Sequence, residues 1–286
     1  MDTIIQILAR ELGRSEAHVE NVVRLIDEGN TIPFIARYRK ELHGAMDDTA
    51  LRTLADRLQY LRNLDKRREE VKSAIEGQGK LTEELSAAID AAATLAEVED
   101  LYRPYRQKRR TRATVAREKG LEPLAELLFA QAADGPAPEE AAGAFVDPEK
   151  GVETAEDALQ GASDIIAERI SDDADIRKRL RELVWKKGYL VSAAAAKEPE
   201  DTVYRLYYAF RSPLNRVQGH QVLAINRGER EGVLKVSVEM EREAALIPVR
   251  RAVLNPGAPA MAFVRAAAED AYDRLIFPSV EREMRG

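Results

Sequence analysis

The sequence predicts an all-α fold class: mostly helical with a minor β component, a helical scaffold carrying an embedded helix-turn-helix-like unit. Three observations predict it. Ala, Leu, Glu and Arg dominate while aromatic residues make up 6%, a bias against β-sandwiches and barrels, whose strands favour β-branched and aromatic side chains. Charged residues reach 33%, above the usual quarter, as suits long solvated helices. Apolar residues recur at helical spacing through most of the chain. With 286 residues, 45% of them hydrophobic, the chain can bury a core in one large domain or two small ones.

The elements follow in order. Ile4, Ile5, Leu8 and Leu12 mark a first helix that stops at Gly13. Ser15 is a good cap for a second, with Val19, Val22, Val23 and Ile26 on one face and Gly29 and Asn30 at its end. The segment IPFIARYRKELHG follows, with Pro33 suited to a first helical turn. From Asp48 to about Ile75, a stripe of Leu51, Leu54, Leu58, Leu61, Leu64, Val71 and Ile75 predicts a long helix packed along partner helices. Thr82 caps a short helix, and Leu95–Tyr102 forms another. LYRPYRQKRRTRA has no apolar periodicity and reads as a loop or extended arm. Leu121–Gln131 returns to helix, and ADGPAPEEAAG reads as a surface linker.

Ala155–Ile170 is a strong helix, and Ser171 is placed to cap another over Asp172–Lys187. Tyr189, Leu190 and Val191 suggest a short strand after Gly188. Helix, tight turn, helix and strand together outline a winged helix-turn-helix. His220–Asn226 reads as helix and VLKVSV as strand. Helices resume from about Glu241 and Pro259, and Pro278 is placed to start a last one. The expected spans are 1–120 for an amino-terminal helical region, 121–204 for the helix-turn-helix-like unit and 205–286 for further scaffold helices. The abrupt ending after Pro278 suggests a piece of a longer protein.

Much chemistry is excluded. The absence of cysteine removes disulfides, thiolate metal sites and cysteine nucleophiles, and it fits a reducing cytoplasm, the expected location. MDTIIQILARELGR is not expected to be a signal peptide. No run of about 18 apolar residues predicts a membrane span. GQGKLT at 77–82 lacks the glycine spacing and the hydroxyl residue of a phosphate loop. His18, His43 and His220 are far apart and read as surface or capping residues, and acidic pairs such as Glu97 with Glu99 read as solvated helix faces. No catalytic residue, cofactor or metal is expected, and the chain is read as non-enzymatic.

The charge distribution points elsewhere. The net charge is −6, yet residues 101–120 hold eight Lys/Arg against one acid, a local +7 that leaves −13 for the rest. Arg103, Arg106, Lys108, Arg109, Arg110 and Arg112 are interleaved with Tyr102 and Tyr105. Arginine forks onto phosphates and tyrosine stacks on bases. The competing reading is a structural arm whose arginines pair with surrounding acidic helices. Arg37, Arg39 and Lys40, beside Tyr38, form a second cluster that extends such a surface if it folds nearby. Arg177, Lys178, Arg179 and Arg181 lie on the second helix of the helix-turn-helix-like pair. Its leading end carries Asp172, Asp173 and Asp175, which repel phosphates where a recognition helix reads bases. A protein-contact role suits that helix better.

Five segments together resemble the amino-terminal part of the bacterial Tex family of transcription accessory proteins. They are NTIPFIARYRKELHG (30–44), IEGQGKLTEEL (75–85), EDLYRPYRQKRRTRATVAREKGLEPLA (99–125), GHQVLAINRGEREGVLKV (219–236) and RLIFPSVERE (274–283). They run in family order over nearly the whole chain. The resemblance implies a mostly helical region that precedes a ribonuclease-H-like domain, helix-hairpin-helix elements and an RNA-binding barrel, none of which is recognised here. It also implies nucleic-acid binding tied to transcription, much of it attributed to that barrel, and it transfers no catalytic residue. The expected partner is therefore RNA or DNA, bound weakly through the arm. The alternative is a protein-interaction module that docks RNA polymerase or ribosome-associated proteins without touching nucleic acid.

Overall fold

Leu51, Leu54, Leu58, Leu61 and Leu64 recur every three or four residues, and with Val71 and Ile75 they bury one side of a 29-residue helix. The computed structural model containing it describes residues 3–107, 109–197 and 201–285. The chain divides into two units, Met1–Tyr102 and Arg103–Gly286.

The first unit runs α1 (Ile4–Leu12), α2 (Glu16–Asp27), α3 (Ile32–Tyr38), α4 (Lys40–His43), α5 (Asp48–Glu76), α6 (Glu83–Ala91) and α7 (Leu95–Tyr102). The long α5 is its spine: α1, α2, α3, α6 and α7 pack on it, and α4 packs on α2. Ser15, Asp47 and Thr82 cap α2, α5 and α6 by accepting backbone N–H groups, and Thr3 closes a capping box with Gln6 on α1. Each cap contributes about 1 kcal/mol. Two forked pairs tie the spine outward: Arg57 reaches Glu11 with both bonds at 2.7 Å, and Arg62 reaches Asp27 at 2.7 and 2.8 Å.

One histidine departs from the expected surface role. His43 ends α4 and is buried. Gly44 follows it in the left-handed region at φ 59°, and a Cβ there would lie 2.3 Å from the His18 ring. Only glycine lets the chain turn so tightly against His18 and fold the His43 ring inward.

The second unit contains α8 (Arg112–Glu118), α9 (Glu122–Ala130), α10 (Pro138–Gly143), α11 (Ala155–Ser171) and α12 (Ala174–Lys187). Then come β1 (Tyr189–Ala194), β2 (Ala209–Pro213), α13 (Gly219–Arg230), β3 (Leu234–Glu239), α14 (Arg242–Val253), α15 (Met261–Asp270) and α16 (Phe277–Arg285). A π-helical turn, Ala271–Ile276, joins the last two helices, and Pro278 sits in the first turn of α16. At the centre is α11, on which α8, α9, α10 and α15 pack. Its Ala158, Ala162, Ile165, Ile166 and Ile170 are buried, and residues from both the 121–204 and 205–286 spans line the same core.

The strands form one antiparallel sheet in the order β2-β1-β3. Leu190, Leu234 and Val238 turn into the core, while Arg211, Lys235 and Glu239 face out. The protein is thus mostly α with a minor β part, as the sequence predicts.

Three local expectations are corrected. ADGPAPEEAAG is not a surface linker, because Pro138, Ala141 and Ala142 of α10 are buried there. Arg112 and Ala113, read as the end of the arm, instead open a helix over Arg112–Glu118, with Ala113 and Ala116 as its buried face. In both cases alanine does the packing, so no large apolar residue marks the period. Ser171 does not cap the next helix; it ends α11, and its hydroxyl donates to the Glu168 carbonyl at 2.8 Å. The cap of α12 is Asp173, which accepts from the Ile176 N–H at 2.8 Å.

Candidate nucleic-acid interface

The arm is shaped from both ends. Arg103–Tyr105 form a single 3-10 turn, as suits Pro104, which has no N–H to donate to a regular helix. At the other end Thr111 caps α8, accepting from the Thr114 N–H at 3.1 Å. Beneath the arm, α11 and its C-cap residue present Asp164, Glu168 and Asp172, spaced four residues apart. Each is engaged: Asp164 by Arg274 at 3.3 Å, Glu168 by Thr111 at 2.9 Å and Arg117 at 2.8 Å, and Asp172 by Arg103 at 3.4 Å. Burial pulls the Arg117 guanidinium down, but the Glu168 and Glu122 carboxylates outweigh it and leave its pKa raised.

The candidate arginines therefore divide. Arg103 is held by Asp172, Arg110 pairs with Glu118 at 2.7 Å, and Arg106 is also engaged within the protein. Arg109 and Arg112 are exposed and pair with no carboxylate among the described residues. Lys108 lies outside the described residues. At Tyr102, Arg67 lies 5.5 Å from the ring centroid and occupies one side of the ring.

Two cavities flank the arm, and they differ in sign. One of about 500 Å³ is lined by Arg103, Arg106, Arg109 and Arg112 together with Arg274 and Arg282, against three carboxylates, Asp164, Glu168 and Asp172. The other, of about 750 Å³, has three arginines against five carboxylates. The arm thus separates a basic hollow from an acidic one, and an anion is directed to the first.

Sequence reasoning missed Arg274 and Arg282, which lie more than 160 residues from the arm. The π-helical turn carries Arg274, and α16 carries Arg282, which is exposed and without a carboxylate partner among the described residues. A π-helical turn widens the helix by one residue and is frequent at functional sites. Nothing local in AEDAYDRLIFPS announces it.

The second predicted cluster belongs to the first unit. Phe34 and Tyr38 pack their rings at 5.2 Å, with Arg39 5.6 Å from the Phe34 ring and Arg37 6.0 Å from the Tyr38 ring. Arg37, Arg39 and Lys40 are all exposed, and Tyr38 is 57% exposed. Arginine over an open aromatic ring is a ready platform for a flat ligand.

On α12, the basic run is partly spent inside. Arg177 is fully buried and reaches Glu283 at 2.6 Å and Ser279 at 3.0 Å, and Arg181 reaches Glu283 at 3.0 Å. These two arginines lock α12 to α16. No helix among the described residues is long and apolar enough to cross a membrane.

Two family models match the chain: the Tex-like protein N-terminal domain over residues 2–76 and the Tex central region-like model over 134–286. The arm falls between the two matches. Among curated proteins, uncharacterized protein YdcI of Bacillus subtilis is 44% identical over 98% of this chain and 39% of its own length. The transcriptional accessory protein Tex of Neisseria gonorrhoeae is 40% identical over 83% of this chain and 31% of its own. The human S1 RNA-binding domain-containing protein 1 is 30% identical over 99% of this chain and 29% of its own. The chain therefore spans well under half the length of these relatives.

Proposed function

The chain belongs to the Tex family, and on that premise we propose that it is a non-catalytic part of a cytoplasmic transcription accessory protein that contacts nucleic acid through the arm at residues 102–112. The observation that carries this reading is the unspent charge of Arg109, Arg112 and Arg282 around one basic hollow. The paired arginines hold the arm in place and the unpaired ones meet phosphates. RNA is the first ligand to try, because one relative is named for an RNA-binding domain.

The test is fluorescence anisotropy of labelled single-stranded RNA and duplex DNA against this chain, across a salt series. Log affinity is expected to fall with log salt by about 0.7 per phosphate met on a single strand and about 0.9 on a duplex. Arg109→Glu combined with Arg112→Glu and Arg282→Glu should remove most of that slope. Unchanged affinity in the triple variant overturns the reading.

A second reading, docking of RNA polymerase or a ribosome-associated protein, is favoured by Val203 and Leu206, which are 87% and 84% exposed. It takes over if no nucleic acid binds at low salt and purified polymerase or ribosomes bind with little salt dependence.

A further inference from the structure

The sheet of the second unit has an outer face that neither the arm nor the core uses. Side chains alternate along a strand, so Tyr189 on β1 shares its face with Arg211 on β2 and with Lys235 and Glu239 on β3. The Arg211 guanidinium lies only 3.5 Å from the centroid of the Tyr189 ring. Its side chain is still 55% exposed. A planar cation resting on an aromatic ring leaves its other plane open to a third flat group.

This stacked pair lines a groove of about 920 Å³ between the end of α12 and the sheet. Lys186 and Lys187 in the last turn of α12 border it, and so does Arg216, just after β2. None of these three pairs with a carboxylate among the described residues. The helix dipole favours lysines at that end, but it does not account for Arg211 on Tyr189 or for Arg216. Glu239 and Glu241 are the carboxylates on the rim; Glu239 lies 3.5 Å from Arg211, leaving four cations against two acids. No residue of the arm contributes.

We propose that this groove is a second nucleic-acid site, specific for single strands: one base stacks on the Arg211–Tyr189 platform, and Lys186, Lys187 and Arg216 hold the flanking phosphates. The class of ligand follows from the platform. A duplex keeps its base faces stacked inside, whereas a single strand offers them, and base stacking on planar side chains tolerates any sequence.

The test separates this site from the arm by working in an Arg109→Glu/Arg112→Glu background. Labelled oligouridylate is titrated by anisotropy across a salt series, with inorganic polyphosphate as a competitor that has charge and no bases. Arg211→Lys keeps the charge and loses the plane; it should weaken binding about tenfold, the size of one base stack, with the salt slope unchanged. Lys186→Ser/Lys187→Ser should instead flatten the slope by about 0.7 for each phosphate no longer held. Because Arg211 and both lysines are exposed, unfolding midpoints should stay put, which separates weakened binding from weakened folding. The proposal is overturned if Arg211→Lys binds as tightly as its parent, if polyphosphate displaces the oligonucleotide as well as unlabelled oligouridylate does, or if the arm background already abolishes all binding.

Discussion

Arg117 on α8 donates to Glu168 on α11 at 2.8 Å, and Thr111, the cap of α8, donates to the other oxygen of the same carboxylate at 2.9 Å. One acidic side chain therefore anchors both ends of the short helix that follows the arm. The arm's carboxyl-terminal end cannot swing without breaking both bonds. This makes the unpaired Arg109 and Arg112 part of a fixed surface rather than a tether, and a fixed surface loses less entropy on binding.

Replacing Glu168 by Ala should release that anchor. It leaves Arg117 with Glu122 alone, at 3.1 Å, and takes the carboxylate acceptor from the Thr111 hydroxyl, a cost of about 1–2 kcal/mol. Denaturant unfolding should record the loss, and amide exchange over residues 111–118, the cap and body of α8, should quicken more than over α11. Equal acceleration of α8 and α11 would mean that Glu168 supports the core and not the arm.

Gly161 gives a test whose sign is informative. A Gly→Ala change in a helix interior ordinarily stabilises by about 0.5–1 kcal/mol. Here the new Cβ would lie 2.3 Å from Leu121 Cδ1 and 3.3 Å from Ala116 Cβ, so the buried Leu121 side chain must leave its packed position. Gly161→Ala should therefore destabilise by about 1–3 kcal/mol as α8 is pushed off α11. The thermal midpoint settles it: a rise would show that the two helices separate freely.

The first unit was largely legible because large apolar residues mark its helices at full period, from Leu51 to Ile75. The helices at 112–118 and 138–143 were not, because they pack through Ala113, Ala116, Ala141 and Ala142, and alanine carries little periodic signal. The strand Ala209–Pro213 was missed for a related reason: it is a short edge strand, and only its pairing with β1 defines it. In the arm, sequence charge could not tell Arg103 from Arg109, since only the fold brings Asp172 to the first. Arg274 and Arg282 join the same hollow through a helix some 160 residues later, a relation no local motif records.

That division among the arginines should appear as two classes of mutant. Arg103→Ala leaves the poorly solvated Asp172 carboxylate without its 3.4 Å partner and should cost about 1–2 kcal/mol of stability. Arg109→Ala and Arg112→Ala remove exposed side chains without carboxylate partners and should stay within about 0.5 kcal/mol, while weakening RNA binding at low salt. Parallel unfolding and anisotropy measurements check both halves. Matching losses of stability across all three would mean that the whole arm is structural.

The forked pairs on α5 make acid a selective probe of the first unit. The Arg57 hydrogen bonds hold the Glu11 carboxyl below its ordinary pKa, and those of Arg62 do the same for Asp27. A group with a depressed folded pKa adds stability that is fully present above its unfolded value, about 4, and is lost as pH falls through the folded one. Both pairs are well exposed, so each contributes only about 0.5 kcal/mol. At pH 7, Arg62→Ala should lower stability by about that much, and Arg57→Ala by that much plus the contribution of its stack on Tyr60. As pH falls below about 4 the carboxylate contribution should fade in both. Arg62→Ala converges on the parent, because its carboxylate bond to Asp27 titrates away. Arg57→Ala keeps a residual deficit, because Arg57 also lies 4.9 Å from the Tyr60 ring centroid, a stack with no proton to gain. Circular-dichroism melts at pH 7 and pH 3 measure the difference, and full convergence of both variants would show that the Arg57–Tyr60 stack contributes nothing.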